Sequence, residues 1–206
     1  MATWVNLREL GAKGDGETDD TKAIQEAIDK YDNIYVPQGW YRITETLKMK
    51  PNTKLIGLHP FGTQFRLNES TAAFSGFGGP KAMVESSEGG ANMLVGIGIN
   101  TGGYNYRAVG VKWMANADSY MNDVKFVGGH GGLWKPKPGV AEPRGWWERP
   151  VRISSPDNPV AASGMDLAWD NQYWSLWVTN NGGGTFKDIW TASTYATNGF
   201  YANNTS

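Results

Sequence analysis

The chain has 206 residues and a nearly balanced charge, with 19 Lys and Arg against 20 Asp and Glu. The resulting net charge of −1 offers no basic surface to a nucleic-acid backbone or an anionic membrane, and neither partner is expected. The absence of cysteine excludes a disulfide framework, a thiolate zinc site and a cysteine nucleophile. No apolar run is long enough for a membrane span, and the first residues lack the pattern of a signal peptide.

The first predicted elements are a glycine turn, a helix and a strand. Glycine and Asp cluster in residues 11–16, a composition typical of turns. Apolar residues then recur on one helical face: Ala23, Ile24, Ala27, Ile28 and Tyr31. This spacing predicts a helix over about residues 20–31, with Asp19 and Asp20 capping its first turn. A short strand is expected at residues 33–39, where Pro and Gly end an apolar run.

Three short apolar runs share one pattern in the rest of the chain. They are residues 94–99, 121–126 and 186–191, and each has a turn-like step with Gly or Asp after a large apolar residue. The first two begin 27 residues apart, and the third begins 65 residues later, which leaves room for two coils plus an insertion. A period of this length built from short strands predicts a parallel β-helix, because stacked coils bury what one coil cannot. Asp123 and Asp188 hold equivalent positions in this repeat, and we expect them to bond within turns.

Residues 5–28 carry a long and specific pattern, G-A-x-G-D-G-x-T-D-D-T-x-A-I-Q-x-A-I, which begins at Gly11. The segment resembles the N-terminal part of the pectate-lyase-like right-handed β-helix superfamily. This resemblance implies an all-β fold, a right-handed parallel β-helix (solenoid) with an N-terminal capping α-helix that covers the first coil. It does not settle the chemistry, since lyases, hydrolases and phage tailspikes share the pattern.

A narrower resemblance runs through four further segments. Residues 35–41, 57–60, 119–131 and 175–191 are similar to glycoside hydrolase family 55, the β-1,3-glucanases. That resemblance implies two β-helices in tandem with the glucan site in the cleft between them, and a general acid that lies beyond Ser206. The chain then corresponds to the N-terminal part of a larger two-β-helix protein.

The expected organisation is a single β-helix domain over residues 1–206. Its N-terminal cap covers residues 1–33, and its coils cover residues 34–206. A loop at about residues 131–160 is too long for an ordinary coil turn, and long ordered loops are often functional.

Candidate catalytic residues come partly from the family resemblance. In that family the attacking water is held by neutral polar side chains of the first β-helix, and the matching positions are Gln172 and, more weakly, Ser193. Asp170 is the acidic candidate, because aromatic residues surround it in the sequence. A solvated loop amide is the alternative interpretation of Gln172. The sequence contains no metal-ligand spacing or cofactor motif, so no metal and no cofactor is expected.

Tryptophan is concentrated late in the chain, with seven of ten between residues 134 and 190. An indole face stacks on the C–H face of a pyranose ring, so this clustering suits a carbohydrate cleft. The predicted substrate-binding residues are Trp134, Trp146, Trp147, Asp166 and Trp174. We interpret Trp177 and Trp190 as interior or coil-packing residues, because they lie in strand-like runs.

These features favour the N-terminal β-helix of a glycoside hydrolase that cleaves β-1,3-glucan with inversion of configuration at the anomeric carbon. The parent protein is expected to be extracellular or periplasmic. One alternative is a polysaccharide lyase of the pectate-lyase type, in which Arg144, Arg149 and Arg152 would bind uronic acids rather than form surface ion pairs. A second alternative is a non-catalytic carbohydrate-binding or tailspike-type β-helix. The expected partners are a polysaccharide, a second β-helix domain, and further copies of the chain through an uncapped last coil at residues 199–204.

Overall fold

The chain winds short strands into successive coils. The computed structural model describes residues 4–76, 78–103, 105–128, 172–191 and 196–206. The first elements are β1 (Val5–Asn6), β2 (Asp15–Asp19), α1 (Thr21–Lys30), β3 (Asn33–Tyr35), β4 (Gly39–Arg42), β5 (Leu47–Lys48), β6 (Lys54–Ile56), β7 (Thr63–Arg66) and β8 (Lys81–Glu85). The later elements are β9 (Met93–Val95), β10 (Gly98–Gly102), β11 (Ala108–Trp113), β12 (Tyr120–Asn122), β13 (Lys125–Gly128), β14 (Gln172–Val178), β15 (Thr185–Lys187), β16 (Trp190–Thr191) and β17 (Ala196–Ala202). Within these ranges, no helix is long and apolar enough to cross a membrane.

Three parallel sheets form the walls of the coils. Sheet A has the order β1-β3-β6-β9-β12-β15, sheet B the order β2-β4-β7-β10-β13-β16, and sheet C the order β5-β8-β11-β14-β17. Every pairing among the described strands is parallel, and each full coil passes through sheets A, B and C in turn. The protein is therefore a right-handed parallel β-helix with an N-terminal helix, and the predicted fold class is confirmed.

The core fills the inside of the stack as three columns of apolar side chains, one for each sheet. The inward columns are Ile34, Leu55, Leu94 and Met121 in sheet A; Tyr41, Phe65, Ile99 and Phe126 in sheet B; and Leu47, Val84, Val111 and Leu176 in sheet C. All of these side chains are buried. Burial of each stabilises the fold by roughly 1.5–3 kcal/mol, so neighbouring coils are held together mainly by this interior.

The repeat predicted from the sequence has the predicted register. Met121 pairs with Leu94 on one side and with Phe186 on the other, as the alignment of the three runs requires. The expectation of two coils between the second and third runs is wrong, because β12 pairs directly with β15. The extra length belongs to the connection between β13 and β14, whose residues 129–171 lie outside the described residues. The predicted loop at about 131–160 falls within that connection.

The corner between sheets A and B explains the shared turn-like step. Gly96, Asp123 and Asp188 each adopt a left-handed backbone conformation there, with φ of 63°, 49° and 51°. Glycine tolerates this conformation freely, and Asp is among the few other residues that adopt it at low cost. The Asp123 carboxylate also lies 3.4 Å from the Lys125 amine. Asp123 and Asp188 thus occupy equivalent positions, as predicted, and they share the same backbone conformation at the corner.

The helix covers the first coil as predicted. Ile24, Ala27 and Ile28 form the buried face of α1. The side-chain amide of Gln25 donates to the Lys48 carbonyl oxygen at 3.1 Å and accepts from the Lys48 amide at 2.8 Å. Lys48 belongs to β5, the first strand of sheet C, so α1 satisfies backbone groups that an open sheet edge would leave unpaired.

Candidate functional site

The acidic residues of the N-terminal motif hold the local backbone. Asp20 is 1% exposed, and its carboxylate accepts the backbone amides of Lys13 at 2.7 Å and Gly14 at 2.9 Å. It occupies the N-cap position of α1 without making the side-chain cap bond that the sequence predicted. The preceding residue, Asp19, instead accepts the amide of Thr21, the first residue of the helix, at 3.0 Å. Asp19 and Asp20 therefore fix the turn against the helix, and both carboxylates are structural.

Two of these carboxylates have depressed pKa values. The pKa of Asp15 falls from 3.8 to about 2, because the backbone amide and hydroxyl of Thr18 and the amide of Glu17 all donate to its carboxylate. Burial raises the pKa of Asp19, but hydrogen bonds from Thr21 and Thr44 outweigh it and the net pKa lies below the ordinary value. Both groups are therefore ionised at neutral pH.

Of the eight predicted site residues, Gln172 and Trp174 lie in the described part of the chain. Gln172 is the first residue of β14 and pairs in register with Ala196, the first residue of β17. The starts of these two strands therefore lie side by side. The other six predicted residues lie outside the described residues: Trp134, Trp146, Trp147, Asp166, Asp170 and Ser193.

Trp174 belongs to an aromatic cluster on sheet C, which we call the sheet C patch and define as Trp174, Trp177 and Tyr201. The rings of Trp174 and Tyr201 are stacked, with centroids 4.2 Å apart and an interplanar angle of 22°. Trp177 meets Trp174 edge-on at 4.9 Å. All three side chains are partly exposed. The strand register explains the cluster, because Trp177 and Tyr201 are direct neighbours on β14 and β17.

Polar contacts hold the edges of the sheet C patch. The indole N–H of Trp177 donates to the side-chain oxygen of Asn203 at 2.7 Å, and the Lys112 amine lies 4.9 Å from the Trp177 ring centroid. Beside Trp174, the Tyr173 hydroxyl donates to the carbonyl oxygen of Gly78 at 3.0 Å. These contacts fix the ring orientations while leaving part of each ring open to solvent, as a stacking surface for a sugar requires.

The interior assignment of Trp177 and Trp190 is wrong. Trp177 lies in a row with Lys112 and Lys48 on the outer side of sheet C, and Trp190 is 40% exposed on sheet B. Both residues do lie in strands, but successive strand residues face opposite sides and the sequence did not show which side each faces. The exposure of Trp190 belongs to a second aromatic surface on sheet B.

The sheet C patch provides binding groups rather than a complete catalytic set. Within the described ranges, no group of three or more His, Asp or Glu residues is arranged to hold a metal ion. Aromatic rings, an amide and a lysine can orient a polysaccharide, but hydrolysis by inversion also needs an acid and an activated water. Any such groups must come from chain segments other than this patch.

A parallel β-helix with an aromatic, partly exposed patch on one wall is the class of protein that these features define. Residues 4–126, more than half of the chain, match the family model described as rhamnogalacturonase A/epimerase, pectate lyase-like. The chain therefore belongs to this pectate lyase-like family.

Three curated relatives match about a quarter of the chain. A probable glucan endo-1,3-beta-glucosidase of Arthroderma benhamiae is 46% identical over 57 residues, which cover 26% of this chain and 6% of that protein. The preneck appendage protein of Bacillus phage PZA is 43% identical over 53 residues, covering 26% of this chain and 6% of that protein. Alginate lyase 7 of Azotobacter vinelandii is 41% identical over 64 residues, covering 25% of this chain and 8% of that protein.

The chain thus spans less than a tenth of the length of each of these relatives. The matches support the similarity to the pectate-lyase-like superfamily and to β-1,3-glucanases that the sequence motifs indicated. They include an enzyme named for glucan, an enzyme named for alginate and a phage structural protein, and so they do not select one activity.

Proposed function

We propose that this chain is the N-terminal β-helix of an extracellular or periplasmic glycoside hydrolase that acts on β-1,3-glucan. The observation that carries the proposal is the sheet C patch, where the Trp174 ring is stacked on that of Tyr201. Trp174 lies on β14, which follows directly on the connection over residues 129–171. The predicted sugar-binding residues Trp134, Trp146, Trp147 and Asp166 all belong to that connection. The relative named as a glucan endo-1,3-beta-glucosidase supports the substrate.

In the proposed mechanism this chain binds the glucan and positions water. Sugar rings stack on Trp174, while Gln172 and Ser193 orient the water that attacks the anomeric carbon and the Asp170 carboxylate accepts the proton that this water loses. The side-by-side starts of β14 and β17 support this grouping, because Gln172 opens one strand and Ser193 precedes the other by three residues. A general acid from a second β-helix domain protonates the leaving oxygen. Inversion requires this acid to lie on the face of the sugar opposite to the attacking water.

Two other functions have specific support. The match to an alginate lyase favours a polysaccharide lyase, and the match to a phage appendage protein favours a non-catalytic tailspike-type β-helix. The polysaccharide lyase differs from our proposal in its substrate, because a lyase of this type acts on uronates. The non-catalytic β-helix differs in its lack of turnover, because a binding protein retains glucan without releasing sugars.

The proposal is tested by affinity electrophoresis of the chain in gels that contain laminarin or alginate. We expect Trp174→Ala to weaken laminarin retention about tenfold, which corresponds to about 1.4 kcal/mol. Trp4→Ala is the matched control, because Trp4 is an exposed indole that directly precedes β1 of sheet A and does not belong to the patch. Equal retention of all variants in laminarin, or retention by alginate alone, contradicts the glucan assignment. Release of short glucans from laminarin by the parent protein tests the hydrolytic step.

A further inference from the structure

The loop between β6 and β7 lies flat against the outer face of sheet B. Residues 57–62 cross over Gly98 of the next coil, where any Cβ atom would collide with the carbonyl oxygen of Pro60. The loop is closed by the backbone amide of Thr63, which donates to the His59 carbonyl oxygen at 2.8 Å. The absence of a side chain at Gly98 thus allows the loop to lie close to the sheet.

This loop places an exposed ring between two exposed indoles. Phe61 and Trp40 are each 48% exposed, and the Phe61 ring centroid lies 5.8 Å from that of Trp190. The side-chain amide of Gln64 donates to the Phe61 carbonyl oxygen at 3.2 Å, which holds the loop backbone at the residue that carries the ring. Three large aromatic side chains, Trp40, Phe61 and Trp190, are therefore exposed on this wall of the β-helix.

A row of paired residues follows the axis of the β-helix. Trp40 pairs with Gln64, and the same register row continues through Gly98 and Lys125 to Trp190. Trp40 and Trp190 are thus four strands apart, or about 19 Å at the usual strand spacing. That length accommodates a short oligosaccharide lying along the axis, with each aromatic ring available to a different sugar.

A groove of about 480 Å³ opens at the Trp40 end of this row, lined by Asp15, Gln38, Trp40 and Phe61 among others. We call it the sheet B groove. One face of the Trp40 ring is occupied by the guanidinium of Arg66, which lies 4.8 Å from the ring centroid. Because Arg66 is buried and Trp40 is half-exposed, the opposite indole face is the one open to a ligand. The aromatic wall is therefore held in place before any ligand binds.

The polar side of the sheet B groove suits hydroxyl groups. The Asp15 carboxylate accepts three hydrogen bonds, two on one oxygen and one on the other, which leaves acceptor capacity for a hydroxyl donor. Gln38 is exposed and can both donate and accept, and its backbone is fixed by a hydrogen bond from the Arg8 guanidinium at 2.8 Å. Asp15 is the charged residue among those that line the groove, whereas the Arg66 guanidinium lies against one face of Trp40 and the Lys125 amine lies near Trp190. The Asp15 carboxylate therefore disfavours a uronate within the groove itself, and a neutral sugar meets no such repulsion.

We propose that the sheet B groove, lined by Asp15, Gln38, Trp40 and Phe61 and extended by Trp190, is a second binding site that holds a neutral glycan chain along the β-helix axis. Aromatic faces supply stacking, and Asp15 and Gln38 read the hydroxyl groups. The site lies on a different wall from the sheet C patch and needs no hydrolysis, so it stands independently of the proposed function.

The test is binding of the 206-residue chain to laminarin, glucomannan and xyloglucan, with alginate as the anionic comparison, measured by calorimetry and affinity electrophoresis. We expect Trp40→Ala and Phe61→Ala each to weaken binding of at least one neutral glycan about tenfold and to leave alginate binding unchanged. Leu58→Ala is the matched control, because Leu58 is the most exposed apolar residue of the same loop and does not line the groove.

The variants also separate this site from the sheet C patch. If Trp174→Ala abolishes all glycan binding while Trp40→Ala and Phe61→Ala match the control, the sheet B site does not exist. If the reverse is found, the sheet B site stands and the proposed function fails. Should Trp40→Ala lower the melting temperature strongly, Gln38→Ala tests the polar side, because the Gln38 side chain is exposed and its bond to Arg8 uses the backbone carbonyl. Unchanged neutral-glycan binding by that variant overturns the proposal. Stronger binding of alginate than of every neutral glycan also overturns it.

Discussion

Asp15 and Asp20 lie in one short motif but serve the fold in different surroundings. Asp20 is buried and ties the glycine turn to the start of α1 through two backbone amides. Gly14 is part of that turn, with φ of 61°, and a Cβ atom there would lie 2.8 Å from the Tyr41 ring. Asp15 is exposed and organises the next turn through Thr18 and Glu17. The acidic character of the motif therefore reflects backbone hydrogen bonding.

The depressed pKa of Asp15 predicts a specific loss of stability in acid. Because its pKa is about 2 in the folded chain and 3.8 unperturbed, its contribution is present above pH 4 and is lost as the pH falls towards 2. The depressed pKa of Asp19 acts in the same direction. Between pH 5 and pH 2 we expect the melting temperature of Asp15→Asn to fall less than that of the natural chain.

Thermal unfolding followed by circular dichroism at pH 7, 5, 4, 3 and 2 measures this effect. Glu17→Gln is the control, since it removes a neighbouring exposed carboxylate and leaves the Asp15 hydrogen bonds in place. At neutral pH Asp15→Asn should melt below the natural chain, and the two curves should converge in acid. Parallel curves for the two proteins across this range contradict the assignment.

At the scale of the elements, the corners between sheets A and B set the coil repeat. Gly96 combines two constraints, a φ of 63° and a Cβ position that would collide with the carbonyl oxygen of Gly57. Gly89 has the first constraint alone, with φ of 66° and no atom within 4 Å of its Cβ position. Comparing substitutions at Gly89 and Gly96 therefore distinguishes the cost of backbone strain from the cost of a collision between neighbouring coils.

We expect Gly89→Ala to cost about 1–2 kcal/mol, the penalty of a left-handed conformation for alanine. Gly96→Ala should cost more, about 3 kcal/mol or above, because the coils must also move apart. Denaturant unfolding of both variants gives the two free energies of unfolding. Equal losses would show that the approach of Gly57 to Gly96 does not limit the packing of the coils.

The sequence predicted elements wherever the determining interaction is local or repeated. The helical face of Ile24 and Ile28 and the register of Leu94, Met121 and Phe186 follow from spacing alone, and both are confirmed. The outward face of Trp190 was missed, because it depends on the residue at which the chain turns the corner after Asp188. Side-chain alternation restarts at each corner, so strand-like sequence does not determine which side a tryptophan faces.

The candidate sites were harder to predict than the fold, since they join residues far apart in the sequence. Trp174 was singled out, but its stacking partner Tyr201 was not, because that contact depends on the pairing of β14 with β17. The sheet B groove brings Asp15 and Phe61 together across coils, and neither residue was singled out for binding from the sequence. Both the sheet C patch and the sheet B groove depend on which residues of neighbouring coils pair with each other, and that register is known only from the structure.

At the scale of the whole molecule, the two ends of the described stack differ. The first strand of sheet C is covered by α1 through Gln25, whereas β15, β16 and β17 are the outermost strands of their sheets. Phe186 and Phe200 continue the inward columns and are 37% and 52% exposed. Exposed apolar rings beside unpaired strand edges favour association with another chain.

We therefore expect the 206-residue chain to self-associate through this last coil at high concentration. Analytical ultracentrifugation over a range of concentrations should show a monomer that gives way to a dimer or larger species. Replacing both rings, in Phe186→Ser with Phe200→Ser, should shift that transition to at least about tenfold higher concentration. About half of each ring is still exposed in the single chain, so burial of the two exposed halves together contributes roughly 1.5–3 kcal/mol. Leu58→Ser is the control, because it removes an exposed apolar residue from the loop on sheet B. A chain that stays monomeric at every concentration, or a control that shifts the transition equally, shows that the last coil is not the interface.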